Sequence, residues 1–362
     1  MNKNHFINVL AILLLTTLAT MTKLNAQIRY VDATQFSLFG KISDSTETRY
    51  ERLTYNLKDV SRNDIWYLGK STPGLYLKFM TNSKKISIRW ESLNGFSMAH
   101  MTKVGTTGFD LYCFKNNRWQ FVNSFFPTGK TSSYTVMANI DNSDQEYMLN
   151  FPLYDGIAKI EIGIDSLSTI TNSKFKFPQN DHPIVAYGTS ITQGGCASRP
   201  GMAWTNILTR HLNRTVINLG FSGNARLDFE IANLMTQIES SLYILDFLPN
   251  VNEKMVNDKA YQFIEILYKK RPNTPILIID CPLLPQSEYD SLMKDDILTK
   301  NKAILKIFNK LKSQGKKNIY FISTKKFINT DNEGTVDGIH FTDLGHFRFE
   351  QEIEPIVKSI IK

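Results

Sequence analysis

Between residues 166 and 183 the hydrophobic period of this chain changes, and with it the kind of core the chain can build. From about Tyr30 to Asp165, apolar residues alternate with more polar ones. Leu75, Leu77 and Phe79 alternate with Tyr76, Lys78 and Met80, and Ile86, Ile88 and Trp90 with Ser87, Arg89 and Glu91. Ile160, Ile162 and Ile164 likewise share one face. A period of two marks strands with a single buried face. Asn116-Asn117, between two such runs, suits a hairpin turn. Roughly seven short strands without a convincing helix predict an all-β sandwich or jelly roll.

After residue 183 the pattern is different. The apolar runs 184–187, 215–219, 242–247, 275–280 and 318–323 read as strands buried on both faces. Between them, Ala260, Phe263, Ile264, Leu267 and Tyr268 recur at helical spacing, as do Ile304, Ile307, Phe308 and Leu311. Five strands separated by helices predict an α/β, doubly wound, parallel five-stranded sheet of flavodoxin-like type. The polar stretch around 166–183 reads as a connector. We therefore expect a β-sandwich domain over 27–170, a linker over 171–183 and a second domain over 184–362. The chain's 362 residues suffice for two cores.

Lys3, an apolar core at 9–18 and Leu24-Asn-Ala-Gln27 form a signal-peptide pattern over residues 1–26. That core is too short to span a bilayer. The expectation is an exported protein, periplasmic or extracellular, with no stable membrane insertion. The formal charge of +8 has no basic block behind it, which argues against nucleic acid. The cysteines are Cys113, Cys196 and Cys281, so at least one is unpaired within the chain. No histidine lies near them in sequence, and no metal site is expected.

The run Ile184-Val-Ala-Tyr-Gly-Thr-Ser-Ile-Thr-Gln-Gly-Gly195 closes a strand at Gly188 and opens a helix at Thr189 or Ser190, both able caps. Ser190 is thereby placed at the carboxyl edge of the sheet, where open α/β folds bind ligands. A capped turn is the plainer reading of that stretch alone. A nucleophilic serine needs a base, and the base an orienting partner. Among His100, His182, His211, His340 and His346, only His340 sits in a loop after the last strand with a carboxylate, Asp337, three residues earlier. The other four read as surface or structural residues. Two further strand ends carry groups able to donate to an oxyanion, Gly223 through its N–H and Asn250 through its amide.

The segments around Ser190, Gly223, Asn250 and Asp337–His340 resemble, in order, the four blocks of the SGNH (GDSL-type) hydrolase superfamily. The run from Gly188 to Met202 resembles one branch of it, whose members carry an N-terminal sandwich domain with a GxDLY signature. Gly108-Phe-Asp-Leu-Tyr112 matches that signature. The resemblance implies Ser190 as nucleophile, His340 as base and Asp337 as its orienter. It implies an oxyanion hole from the Ser190 and Gly223 N–H groups and the Asn250 amide. Thr189 stands where many members have Asp, and Asp246-Phe-Leu-Pro-Asn250 replaces Gly-x-Asn-Asp; Asp246 is left without a role.

Arg199 and Trp204, just past the Ser190 turn, either line the pocket or only brace the loop. Trp90, Trp119 and Tyr112 are either stacking faces for sugar rings or sandwich core. The expected activity is that of an exported serine esterase on short-chain, acetyl-type esters of a small molecule or an acylated carbohydrate, without metal or organic cofactor. The alternatives are a lysophospholipase or thioesterase on the same fold, and a non-catalytic glycan-binding protein.

Overall fold

The computed structural model describes residues 27–137, 143–177, 182–324 and 331–361; the signal-like segment 1–26 lies outside them. The first half is a sandwich of two antiparallel sheets. Strands β1 (Ile28–Asp32), β2 (Leu38–Phe39), β3 (Tyr76–Thr81), β4 (Lys85–Ser92), β5 (Phe109–Lys115), β6 (Arg118–Phe125), β7 (Thr131–Met137), β8 (Gln145–Asn150), β9 (Ile157–Asp165) and β10 (Ile170–Asn172) divide between them. One sheet has the order β1-β9-β4-β7; the other runs β10-β3-β8-β5-β6, with β2 on β3. The alternating residues meet between the sheets: Leu75, Leu77, Phe79, Ile86, Ile88, Trp90, Ile160, Ile162 and Ile164 form one buried cluster with Phe109 and Leu149. Asn116 and Asn117 turn the β5–β6 hairpin with φ of 54° and 59°.

Three features depart from the sequence expectation. Short helices occur at Asn63–Gly69 and Lys103–Thr107, each too brief for a helical period to show. The polar face of β3 is not solvated. Tyr76, Lys78 and Met80 are buried, and the start of the expected linker covers them. There Lys78 donates to the Phe175 carbonyl at 3.1 Å, with its ammonium 4.0 Å from the Phe177 ring centroid. Finally, Ile42, Leu53, Leu57, Ile65 and Trp66 pack not into the sandwich but into the core of the second half.

That second half is the parallel sheet β12-β11-β13-β14-β15, formed by β11 (Ile184–Gly188), β12 (Val216–Gly220), β13 (Leu242–Asp246), β14 (Ile276–Ile279) and β15 (Ile319–Ile322). Helices cover it, among them Trp204–Leu212, Tyr261–Lys270, Ser291–Ser313 and Asp343–Ile360. Strand β11, first in this half, lies between β12 and β13. The chain steps from β11 to β12 on one side and then crosses to β13 on the other, and that reversal opens a crevice at the strands' carboxyl ends. Ser190, Gly223 and Asn250 follow the three strands that flank it.

Candidate active site

Thr189, extended at the end of β11, caps the helix Ser190–Gln193 by accepting the Ile191 N–H at 3.2 Å. The helix is a single turn, stopped by Gly194 at φ 109°. Ser190 is its first residue, and 5% of it is exposed. Asp246, the last residue of β13, accepts the Thr192 hydroxyl at 2.6 Å and so ties this turn to the neighbouring strand. Full burial pushes the Asp246 carboxyl up to about 7, with the Thr192 bond acting against that rise. Asp246 is thus a brace for the serine turn.

His340 and Asp337 come from the loop between β15 and the last helix. His340 Nε2 lies 2.9 Å from Ser190 Oγ, and its Nδ1 lies 2.7 Å from Asp337 Oδ2. The other carboxylate oxygen accepts the backbone N–H groups of Ile339 at 3.0 Å and His340 at 2.8 Å. Burial alone would raise the Asp337 carboxyl. The His340 ring and the two backbone donors outweigh burial and hold it below its ordinary value. An ionised Asp337 makes Nδ1 the protonated nitrogen, leaving the Nε2 lone pair for the serine proton.

The donors gather on the other side of the serine. Gly223 takes φ 68°, and a Cβ there would meet nothing within 4 Å, so the left-handed backbone is what asks for glycine. Asn250 Oδ1 accepts the Ala225 N–H at 3.2 Å, which ties the β13 loop to the β12 loop and commits the amide nitrogen to donation. Among the described residues, neither that nitrogen nor the N–H of Ser190 or Gly223 has a hydrogen-bond partner. Gln193 fixes the turn before Gly223 by accepting the Ser222 N–H at 2.9 Å.

The sandwich half reaches the same edge. Gln193 Nε2 donates to the Leu153 carbonyl at 3.1 Å, and the Tyr154 hydroxyl stands 3.5 Å from both the Ser190 carbonyl and Ser222 Oγ. A Cβ at Gly195 would come within 2.9 Å of the Tyr154 hydroxyl and 3.0 Å of the His340 ring, so a side chain here would have to displace one of them. His346, buried in the last helix, donates Nε2–H to the Gly195 carbonyl at 3.1 Å, and burial pushes its pKa down to about 4. Asp343 accepts the Ser198 N–H at 2.8 Å, pinning the same loop.

Of the two readings of Arg199 and Trp204, the structure favours bracing over lining the pocket. Trp204 is fully buried, packed edge-on against Phe349 at 5.5 Å, and offers no face to a substrate. Arg199 turns into the sandwich, donating to Asp110 at 2.8 Å and to the Tyr112 hydroxyl at 2.5 Å. These acceptors are the Asp and Tyr of the GxDLY stretch, which is therefore an interdomain latch. Beyond them lies a cavity of about 630 Å³ lined by Tyr112, Phe121, Arg199, Arg210 and Phe347, and Ser190 is not part of its wall. Of the aromatics considered as sugar platforms, Trp90 lies in the sandwich core, while Tyr112 and Trp119 are largely buried and line that cavity, whose wall does not include Ser190.

His182 and His211 pair with Glu239 and Glu350. His100, set aside as a surface residue, has its ring centroid 5.5 Å from that of His340. No local sequence signal marks either His100 or Tyr154, because each reaches the edge from the other domain. All three cysteines are free. No helix of the described residues is long and apolar enough to cross a membrane.

Two family models match in tandem. Residues 28–170 match the GxDLY N-terminus of SGNH hydro-type esterases, and residues 181–358 match the GDSL-like lipase/acylhydrolase family. Among solved structures, a GDSL-like lipase from Bacteroides ovatus is 32% identical, with a TM-score of 0.88 over 92% of this chain and 98% of that one. A salicylyl-acyltransferase from a tetracycline biosynthetic pathway is 15% identical, with a TM-score of 0.75 over the same shares. A family two carbohydrate esterase from Cellvibrio japonicus is 11% identical, with a TM-score of 0.59, again over 92% and 98%. The last two share the fold. No curated protein matches the chain. With both halves matched in order and a close structural relative over nearly its whole length, the chain belongs to the GDSL-like lipase/acylhydrolase family, in its SGNH form with a GxDLY N-terminal domain.

Proposed function

We propose that the protein is an exported serine esterase that removes short acyl groups, acetyl foremost, from carbohydrate esters. The observation that carries the proposal is the unbroken relay from Asp337 through His340 to Ser190, at 2.7 and 2.9 Å. His340 Nε2 takes the Ser190 proton as Oγ attacks the ester carbonyl. Asp337, kept ionised, holds the ring's orientation and stabilises the imidazolium. The N–H groups of Ser190 and Gly223 and the Asn250 amide meet the charge that develops on the carbonyl oxygen. His340 returns its proton to the departing alcohol, then activates the water that releases the acid.

The fold shared with the Cellvibrio japonicus carbohydrate esterase supports carbohydrate esters as the substrate class. Export rests on the leader pattern of residues 1–26. The decisive experiment is p-nitrophenyl acetate turnover by the wild type and Ser190→Ala, followed by acetate release from a panel of acetylated polysaccharides. Turnover by Ser190→Ala near the wild-type rate would overturn the mechanism. A rate climbing from acetyl to octanoyl esters would move the substrate class to lipids.

A further inference from the structure

We propose that His100, Cys196 and His340 form a zinc-binding site at the rim of the active site, where the ion captures the base His340 and switches the esterase off reversibly. The regulatory half of this proposal rests on the reading of His340 as the base. One ligating atom from each of the three residues lies within 4.8 Å of the other two. Zinc bonds of about 2.0–2.1 Å to nitrogen and 2.3 Å to sulfur set tetrahedral ligand atoms roughly 3.5 Å apart. The remaining gap is small, and His100 is exposed at that rim with its ring 5.5 Å from that of His340.

The sequence gives no hint of the site. Cys196 follows the Ser190 turn, His340 lies 144 positions later, and His100 belongs to the sandwich half. The fold brings them to one spot. His340 has the form of a metal-binding histidine: Asp337 takes its Nδ1–H at 2.7 Å, which orients the ring and leaves Nε2 as the nitrogen with a lone pair. That same lone pair faces Ser190 Oγ at 2.9 Å, so an ion and the serine proton compete for it.

Binding involves no change of oxidation state. Cys196 loses its thiol proton to solvent, its thiolate and the two imidazole lone pairs bind the ion, and the Ser190–His340 hydrogen bond breaks. The thiolate and the neighbouring Asp337 carboxylate then balance the two positive charges of zinc. Two nitrogens and a sulfur favour zinc over magnesium or calcium, and the three ligands leave the fourth position to water.

The test begins with zinc titration of p-nitrophenyl acetate hydrolysis in a chelator-free buffer, each protein measured against its own metal-free rate. The wild type should be inhibited, with full recovery on adding EDTA. Cys196→Ser and His100→Ala should each raise the half-inhibiting zinc concentration about tenfold or more. Cobalt(II) supplies a readout independent of turnover. A thiolate-to-cobalt charge-transfer band should form in the wild type and in Ser190→Ala and be missing in Cys196→Ser. Unchanged zinc sensitivity in both variants, or no such band in the wild type, overturns the proposal. A band in a wild-type protein that lacks esterase activity would refute the esterase reading while upholding the metal site.

Discussion

Asp110 offers the sharpest test of how the two domains are joined. It is fully buried, and every group it meets is a donor. One carboxylate oxygen accepts Arg199 at 2.8 Å and the Gly201 N–H at 2.7 Å; the other accepts the Asn150 amide at 2.9 Å. Asp110→Asn preserves the shape and so opens no cavity. Its new NH₂ must nevertheless face either Arg199 and Gly201 or Asn150, and in both orientations donor meets donor. Removing one partner of a buried ion pair costs about 3–5 kcal/mol. Arg199 keeps its bond to the Tyr112 hydroxyl and is 19% exposed, which points to the lower end, about 3 kcal/mol.

For a cooperative unit of more than 300 residues, at about 2.1 cal/mol/K of unfolding entropy per residue, each kcal/mol lowers Tm by about 1.5 °C, so Asp110→Asn should melt about 4–5 °C below the wild type by calorimetry. The double variant Asp110→Asn/Arg199→Ala should recover part of that loss, because no buried cation is then left facing an amide. A Tm for Asp110→Asn within about 1 °C of the wild type would refute the latch, since 1 °C corresponds to less than about 1 kcal/mol.

Asn250→Ala should lower kcat on the order of 10²–10³ with little change in KM, as for loss of a donor that binds the oxyanion; steady-state kinetics on p-nitrophenyl acetate decide this. Asp337→Asn should lower kcat on the order of 10⁴ without unfolding the protein, because an amide no longer selects the tautomer with Nε2 free; kinetics alongside circular dichroism check both halves. His346, at about 4 when folded and 6.5 in the reference state, should penalise acid. Between those values the unfolded chain binds the extra proton, so its contribution is complete above pH 6.5 and fades towards pH 4, by roughly 3 kcal/mol. Asp246, raised to about 7, acts in the opposite sense over the same range. The measurement is therefore the difference in urea midpoints between wild type and His346→Gln, which should change from pH 7 to pH 4.5; a constant difference would refute it.

The fold was legible because periodicity reports the burial of regular elements. Ile160, Ile162 and Ile164, read as one face, are in fact core, and the five apolar runs separated by helices form the five-stranded parallel sheet they imply. What periodicity cannot report is which core an irregular segment joins. Residues 42–66 carry no repeat, yet Leu53, Leu57 and Trp66 pack beneath the parallel sheet. Arg52, in the same segment, is buried and donates to the carbonyls of Ser71, Leu68, Asn218 and Gly220. Burial pushes its pKa down to about 9. A buried arginine satisfied only by backbone carbonyls leaves no complementary acid in the sequence to betray it.

The same distinction explains the site. Ser190, Gly223, Asn250 and His340 could be placed from sequence because each ends a strand or follows one, and strand ends of a parallel sheet share an edge. Nearness in sequence to Ser190 leaves Arg199 and Trp204 open between lining the pocket and bracing the loop, and the fold decides for bracing: one side chain points into the sandwich and the other into the helix layer. The loop they occupy is held on several sides. Asp110 fixes Arg199 and Gly201, Asp343 fixes Ser198, His346 fixes the Gly195 carbonyl, and Leu153 holds Gln193. Two of those four anchors belong to the sandwich. The serine turn is four residues long and cannot hold its own geometry, so its precision is supplied from outside the sheet that carries it. The sandwich is therefore a structural part of the candidate active-site edge, and the GxDLY stretch is the place where it grips.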